Sequence, residues 1–156
     1  MSGKRAGTIN TPFLIGMGYA MELAMENLSF EDREVRRLRD KLEDGLSAIS
    51  ETEVIGRREI RTPNTILISI KGVEGEAMIW DLNQQGIAAS TGSACASESL
   101  EPNPALVAIG VSNDLVHTGI RLSLSRFTTD EEVDYTVSAM KKSVERLRSI
   151  SSTYSH

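Results

Sequence analysis

The sequence predicts a small α/β domain, and three observations carry that prediction. Apolar residues recur at helical spacing in two stretches near the start of the chain and in one near its end. Between them lie short β-branched runs, above all Thr65-Ile66-Leu67-Ile68-Ser69-Ile70. At 156 residues the chain is long enough for one domain with a substantial core.

Residues 1–10 show no apolar period and read as a loop with two glycines and two basic residues. Thr11-Pro12 then looks like a helix start, with Thr11 as the N-cap and proline at the first helical position. Phe13, Leu14, Met17, Met21, Ala24, Met25 and Leu28 form its apolar face, which reads as core or interface. Ser29, with Asp32 three residues later, is a plausible second cap. Val35, Leu38, Leu42, Leu46 and Ile49 mark a second helix, whose charged face is expected to be solvated. Val54-Ile55 suits a short strand, followed by a charged connection through Arg57, Arg58, Glu59 and Arg61.

Pro63 precedes the buried strand 65–70. Residues 75–85 form a helix packing Met78, Ile79 and Leu82, stopped by Gly86. Ile87-Ala88-Ala89 is read as a short strand, and 104–109 and 114–117 as short helices. In 119–125, Ile120, Leu122 and Leu124 alternate inward, with Arg121, Ser123 and Ser125 on the other face. Thr128 or Thr129, with Glu131 or Glu132, makes a capping box for a last helix carrying Val133, Val137, Met140, Val144 and Leu147. The tail from Ser149 is polar and is expected to fray.

Composition narrows the function. The formal net charge is −5 and aromatic residues make up 4%, so neither a basic stripe nor stacking platforms point to nucleic acid. No apolar run reaches transmembrane length, and MSGKRAGT lacks the apolar centre of a secretory signal. One cysteine forms no internal disulfide, which suits a cytoplasmic setting. His117 and His156 have no metal-ligand spacing, so no intrinsic metal site is expected.

The single cysteine, Cys95, is the most informative residue. It lies in Ser90-Thr91-Gly92-Ser93-Ala94-Cys95-Ala96-Ser97-Glu98-Ser99, where nothing bulky surrounds it. Structural cysteines usually pack among larger apolar groups. The run therefore reads either as a nucleophilic thiol on a loop or as an ordinary surface loop with an incidental cysteine. A nucleophile needs a lowered pKa or a proton acceptor. His117 could serve, although a surface histidine is the simpler reading. Arg121 sits within a strand of alternating apolar residues, beside Ser123. It is either a bidentate carboxylate clamp or a solvated outward-facing arginine. Lys4-Arg5-Ala6-Gly7-Thr8 offers amides, a hydroxyl and two cations that could hold a phosphate, or it is simply a basic terminus.

Several segments together resemble the pyridoxal-phosphate-dependent cysteine desulfurases of the NifS/IscS type. They are Lys4-Arg5-Ala6-Gly7-Thr8 and the helix after it, Pro63-Asn64, Val73-Glu74-Gly75-Glu76, and Ser90 to Cys95 with Leu100-Glu101-Pro102. The last is Gly119-Ile120-Arg121-Leu122-Ser123-Leu124-Ser125-Arg126-Phe127-Thr128-Thr129. The resemblance runs from about residue 3 to about residue 151. It implies the C-terminal small domain of a fold-type-I pyridoxal-phosphate transferase: a mostly antiparallel sheet, from strands near 54, 66–70, 87–89 and 119–124, with helices on one face. It also implies that residues 1–11 are a loop at a truncation point, 12–151 the domain, and 152–156 a polar tail.

The resemblance further implies roles. Cys95 is the nucleophile that takes sulfur from L-cysteine, leaving L-alanine, and carries it as a persulfide for iron–sulfur cluster and thio-cofactor synthesis. Its long loop is expected to be mobile and to reach a scaffold or other sulfur-acceptor protein, with Cys95 contacting a cluster during transfer. Arg121 binds the substrate carboxylate. Thr8 bonds the phosphate of pyridoxal 5'-phosphate in the neighbouring subunit of a homodimer. The family's Schiff-base lysine has no counterpart among Lys4, Lys41, Lys71, Lys141 and Lys142. The resemblance thus implies an enzyme in the longer parent and a chain that neither holds the cofactor nor turns over by itself. The alternatives are a non-enzymatic persulfide carrier, or a selenocysteine lyase or aminotransferase of the same fold.

Overall fold

The computed structural model describes residues 7–91, 104–112, 115–151 and 154. Helix α1 spans Thr11–Phe30 and runs through a π turn, Glu31–Val35, into α2, Arg36–Ser47. Strand β1 (Thr52–Ile55) leads by a 3-10 turn at Arg58–Ile60 to β2 (Thr65–Ile70). Then come α3 (Gly75–Gln84), α4 (Pro104–Ala108), β3 (Gly119–Ser123) and α5 (Asp130–Ile150). The sheet is three-stranded and antiparallel, in the order β1-β2-β3.

Strand alternation divides the apolar residues between two faces. On the inner face Ile66, Ile68, Ile70, Ile120 and Leu122 meet Val35, Leu38, Leu42 and Leu46, Met78 and Leu82 of α3, and Val133, Met140, Val144 and Leu147 of α5. Each such side chain, fully buried, contributes about 1.5–3 kcal/mol. Helices α2 and α5 cross closely at Gly45, where a Cβ would lie 2.7 Å from Val137 Cγ2. Arg37 donates to both carboxylate oxygens of Asp130, at 3.0 and 2.7 Å, across the same pair of helices. The predicted capping box forms at Thr129 and Glu132.

The outer face carries a second cluster. Ile55, Leu106 and Val116 are buried there, with Leu67 and Val111 against them. The expectation of helices on one face is corrected: α4 and the turn at 115–118 cover part of the other. That turn replaces the expected short helix at 114–117, of which Asp114 lies outside the described residues.

Other expectations also change. Asn10, not Thr11, caps α1; its Oδ1 accepts from Phe13 N at 3.4 Å, and Pro12 falls within the first turn, where no amide donor is needed. Ser29 starts no new helix, because it lies inside α1 and the π turn carries the helical chain onward without a break; Asp32 Oδ1 accepts instead from Arg36 Nε at 3.2 Å. The charged side of α2 is not wholly solvated. Arg39 is 1% exposed, gripping Asp40 Oδ1 through Nε and Nη2 at 3.0 and 2.6 Å and Thr62 O at 2.9 Å.

Residues 87–89 form no strand. The Ile87 amide instead donates to Leu82 O at 2.9 Å, closing α3, with Gly86 at φ +75°. Strand β3 ends at Ser123, although Leu124 stays buried. The apolar residues of α1 find no cover: none is buried, and α1 packs on no described element except the turn that follows it.

Candidate functional site

β3 displays its alternate residues on two faces. Ile120 and Leu122 point into the core, while Arg121 is exposed on the outer face with Ser123. In register, Arg121 lies beside Leu67, which lies beside Ile55. The Arg121 guanidinium forms no ion pair among the described residues. Of its two sequence readings, the outward-facing one describes the position, and that position leaves the fork accessible to a carboxylate.

The free edge of β3 receives the chain at Ser90. Ser90 N donates to Arg121 O at 3.1 Å, and Arg121 N to Ser90 O at 2.6 Å, an isolated antiparallel bridge. Thr91 then wedges between the start of α3 and the start of β3. A Cβ on Gly75 would meet Thr91 Cγ2 and His117 O, each at 3.2 Å, and Gly119 O at 3.4 Å. A glycine at 75 permits that approach without displacing its neighbours, which a Cβ would push by a few tenths of an ångström.

Residues 92–103 lie outside the described residues, Cys95 and Leu100-Glu101-Pro102 among them. The chain is described again at Pro104, and Leu106 anchors α4 against the same place. A Cβ on Gly119 would meet Leu106 Cδ1 at 3.6 Å and Thr91 O at 3.9 Å. Thr91 and Leu106, the described residues that flank the cysteine-bearing run, therefore both meet the outer face of β3 at Gly119, two residues from Arg121. Five extended residues from Ser90 reach at most about 18 Å, which bounds how far Cys95 can lie from its root.

The other candidates are placed apart. Thr8 is exposed and precedes the N-terminus of α1. A helix of 20 residues is about 30 Å long, and α1 does not fold back on the sheet, so Thr8 is not brought to Arg121 within this chain. Lys4 and Arg5 lie outside the described residues. His117 has an exposed side chain, and no described carboxylate orients it.

A pyridoxal group needs a lysine in a sheltered pocket, and the described residues do not provide one. Lys41 pairs with Asp134 and Asp130 at 2.8 and 3.0 Å, which holds its ammonium above the usual lysine range, the Asp134 hydrogen bond contributing most. Lys71 pairs with Glu51 at 3.0 Å at the surface, and Lys141 and Lys142 are exposed. Among the described residues no group of three His, Cys, Asp or Glu could hold a metal ion. No described helix is long and apolar enough to cross a membrane.

Sequence reasoning did not single out Gly75 as a support for the cysteine run. A glycine at the first position of a helix, inside Val73-Glu74-Gly75-Glu76, was the available signal. Nothing in the sequence marked the Ser90–Arg121 bridge, because a single bridge has no period.

With this geometry in view, relatives can be compared. The family model described as aminotransferase class-V matches residues 2–136. Cysteine desulfurase 2 of Trichormus variabilis is 50% identical over 150 residues, covering 96% of this chain and 37% of the relative. Cysteine desulfurase IscS of Methylobacillus flagellatus is 45% identical over 149 residues, covering 96% and 36%. A solved NifS-like protein superposes with a TM-score of 0.80 at 33% identity, covering 92% of this chain and 36% of that one. The NifS-like protein of Rickettsia africae superposes at 0.79 with 25% identity, covering 90% and 36%. The chain belongs to the aminotransferase class-V family, and it spans a little over a third of the length of the cysteine desulfurases of the NifS/IscS type that it matches.

Proposed function

We propose that this chain is the sulfur-carrying part of a cysteine desulfurase, with residues 12–151 as its small domain. The observation that carries the reading is the convergence at Gly119 of Thr91 and Leu106, which flank the 92–103 run, beside the exposed Arg121. On this reading the thiol of that run works beside Arg121, whose guanidinium suits a carboxylate. Arg121 binds the carboxylate of L-cysteine as a fork, orienting its sulfur. The Cys95 thiolate attacks that sulfur. A new S–S bond forms, the substrate C–S bond breaks, and the carbon retains the electron pair and gains a proton, leaving L-alanine and a Cys95 persulfide. Pyridoxal 5'-phosphate, the family's cofactor, supplies the electron sink when bound. Thr8, at the far end of α1, serves the cofactor phosphate of a neighbouring subunit. The persulfide then passes to an iron–sulfur scaffold or another acceptor protein, in a reducing cytoplasm.

The surface position of the four described lysines favours a narrower version for the chain by itself: it accepts persulfide sulfur rather than generating it. The test is a chimera in which this chain replaces the matching stretch of the Methylobacillus flagellatus IscS. With a thiol reductant present to free the persulfide sulfur, the chimera is expected to release sulfide and alanine from cysteine. Cys95→Ser is expected to abolish both, because a serine hydroxyl is far less acidic and forms no persulfide. Normal turnover in Cys95→Ser overturns the reading.

A further inference from the structure

The end of the sheet remote from the 3-10 turn carries a second built feature. Arg148 of α5 is held as a fixed plate. Its Nε and Nη2 donate to Lys71 O at 3.1 and 2.8 Å, and Nη1 and Nη2 donate to Ser50 Oγ and O at 3.0 and 2.9 Å. The ring of Tyr154 lies over that plate, its centroid 4.6 Å from the guanidinium carbon. The phenol donates to Glu51 Oε2. Lys71 Nζ approaches Glu51 Oε1 at 3.0 Å, so the acceptor carboxylate is itself held in place. The floor beneath the ring is Gly72, at φ +76°, where a Cβ would stand 2.1 Å from Tyr154 Cδ2. The ring occupies the volume that any side chain at 72 would need.

We propose that Gly72, Arg148 and Glu51 form a socket for a tyrosyl side chain. In this chain Tyr154 fills it, a strap across the end of the sheet. Three chemistries meet there: a backbone floor with no Cβ, a cation facing the π cloud, and a carboxylate for the hydroxyl. The strap joins the segments before β1, after β2 and at the end of α5. Gly72 lies three residues before Gly75, so the fastened connection is also the one that supports Thr91 and the root of the cysteine run. The sequence expectation of a frayed tail is corrected at Tyr154.

Hydrogen exchange of the 156-residue chain tests the socket, read on the peptide covering 148–154. A cation–π stack and a charge-assisted hydrogen bond of ordinary strength together correspond to a shift of about thirtyfold or more in the docked population. Tyr154→Ala is therefore expected to speed exchange of that peptide roughly thirtyfold, and Tyr154→Phe by a smaller factor, since it keeps the stack and loses only the hydroxyl. Gly72→Ala is expected to release the tail as Tyr154→Ala does, and to add nothing to tail exchange when combined with it. A methyl at φ +76° also strains the backbone, but that strain is present with or without Tyr154 and cancels in the double-mutant cycle. Unchanged tail exchange in Tyr154→Ala overturns the proposal. So does an effect of Gly72→Ala that persists undiminished in the Tyr154→Ala background. Should Gly72→Ala fail to fold, the two Tyr154 variants decide the matter.

Discussion

Arg121 shows how one residue can have its place settled by local pattern and its use settled by what lies beside it. Strand alternation puts it opposite Ile120 and Leu122, and the Ser90 bridge brings the root of the cysteine run to its backbone. If the guanidinium binds the substrate carboxylate as a fork, one ammonium cannot replace it. In the chimera described above, Arg121→Lys is expected to raise the half-saturating cysteine concentration by about tenfold. Cofactor absorbance should be retained. An unchanged cysteine dependence would show that the exposed arginine is only a surface group.

At the scale of elements, the contact between α2 and α5 holds the helical layer together. At Gly45 the helices leave no room for a Cβ beside Val137. A glycine-to-alanine change inside a helix ordinarily stabilises by up to about 1 kcal/mol. Here the added methyl would overlap Val137, so Gly45→Ala is expected to destabilise by about 1–3 kcal/mol in urea titration. A stabilised variant would mean that Val137 swings aside at no cost. Beside this contact, the Arg37 guanidinium, followed by the Lys41 ammonium, holds the Asp130 carboxyl well below the usual carboxylate range. A carboxylate with a depressed native pKa contributes stability above its unfolded pKa, near about 4. That contribution disappears as pH falls through this value toward the native pKa. Asp130→Asn should therefore flatten the acid side of the stability curve below about pH 4, and roughly 1 M salt should shrink the difference, since the pair is exposed. Parallel acid limbs for the two proteins would rule the coupling out.

At the scale of the whole molecule, α1 is the outlier. Nine large apolar side chains around it are exposed, among them Phe13, Met17 and Met21. Patches on monomers rarely exceed a few hundred Å², and a helix that is apolar on all sides is ordinarily buried. The isolated chain is expected to self-associate at high micromolar concentration in sedimentation. Met17→Lys with Met21→Lys should restore the monomer. A wild-type chain that stays monomeric would mean that α1 tolerates water better than its composition indicates.

The sequence by itself determined the helices α2, α3 and α5, the strands β1, β2 and β3, a capping box at Thr128 or Thr129 and the inward alternation of Ile120, Leu122 and Leu124. These are local matters of period and capping, and each is written within a few consecutive residues. The motifs also carried the family likeness, because a motif is read in order along the chain. Tertiary structure alone decided what depends on distant partners. Residues 87–89 failed to become a strand because their first amide went to Leu82, and α2 buried Arg39 because Thr62 and Asp40 could satisfy it. Gly75, Thr91, Gly119 and Leu106 met at one point, and Tyr154 came to rest on Gly72 and Arg148. Such contacts join residues that are far apart in the chain, and only closure of the fold brings them within van der Waals range.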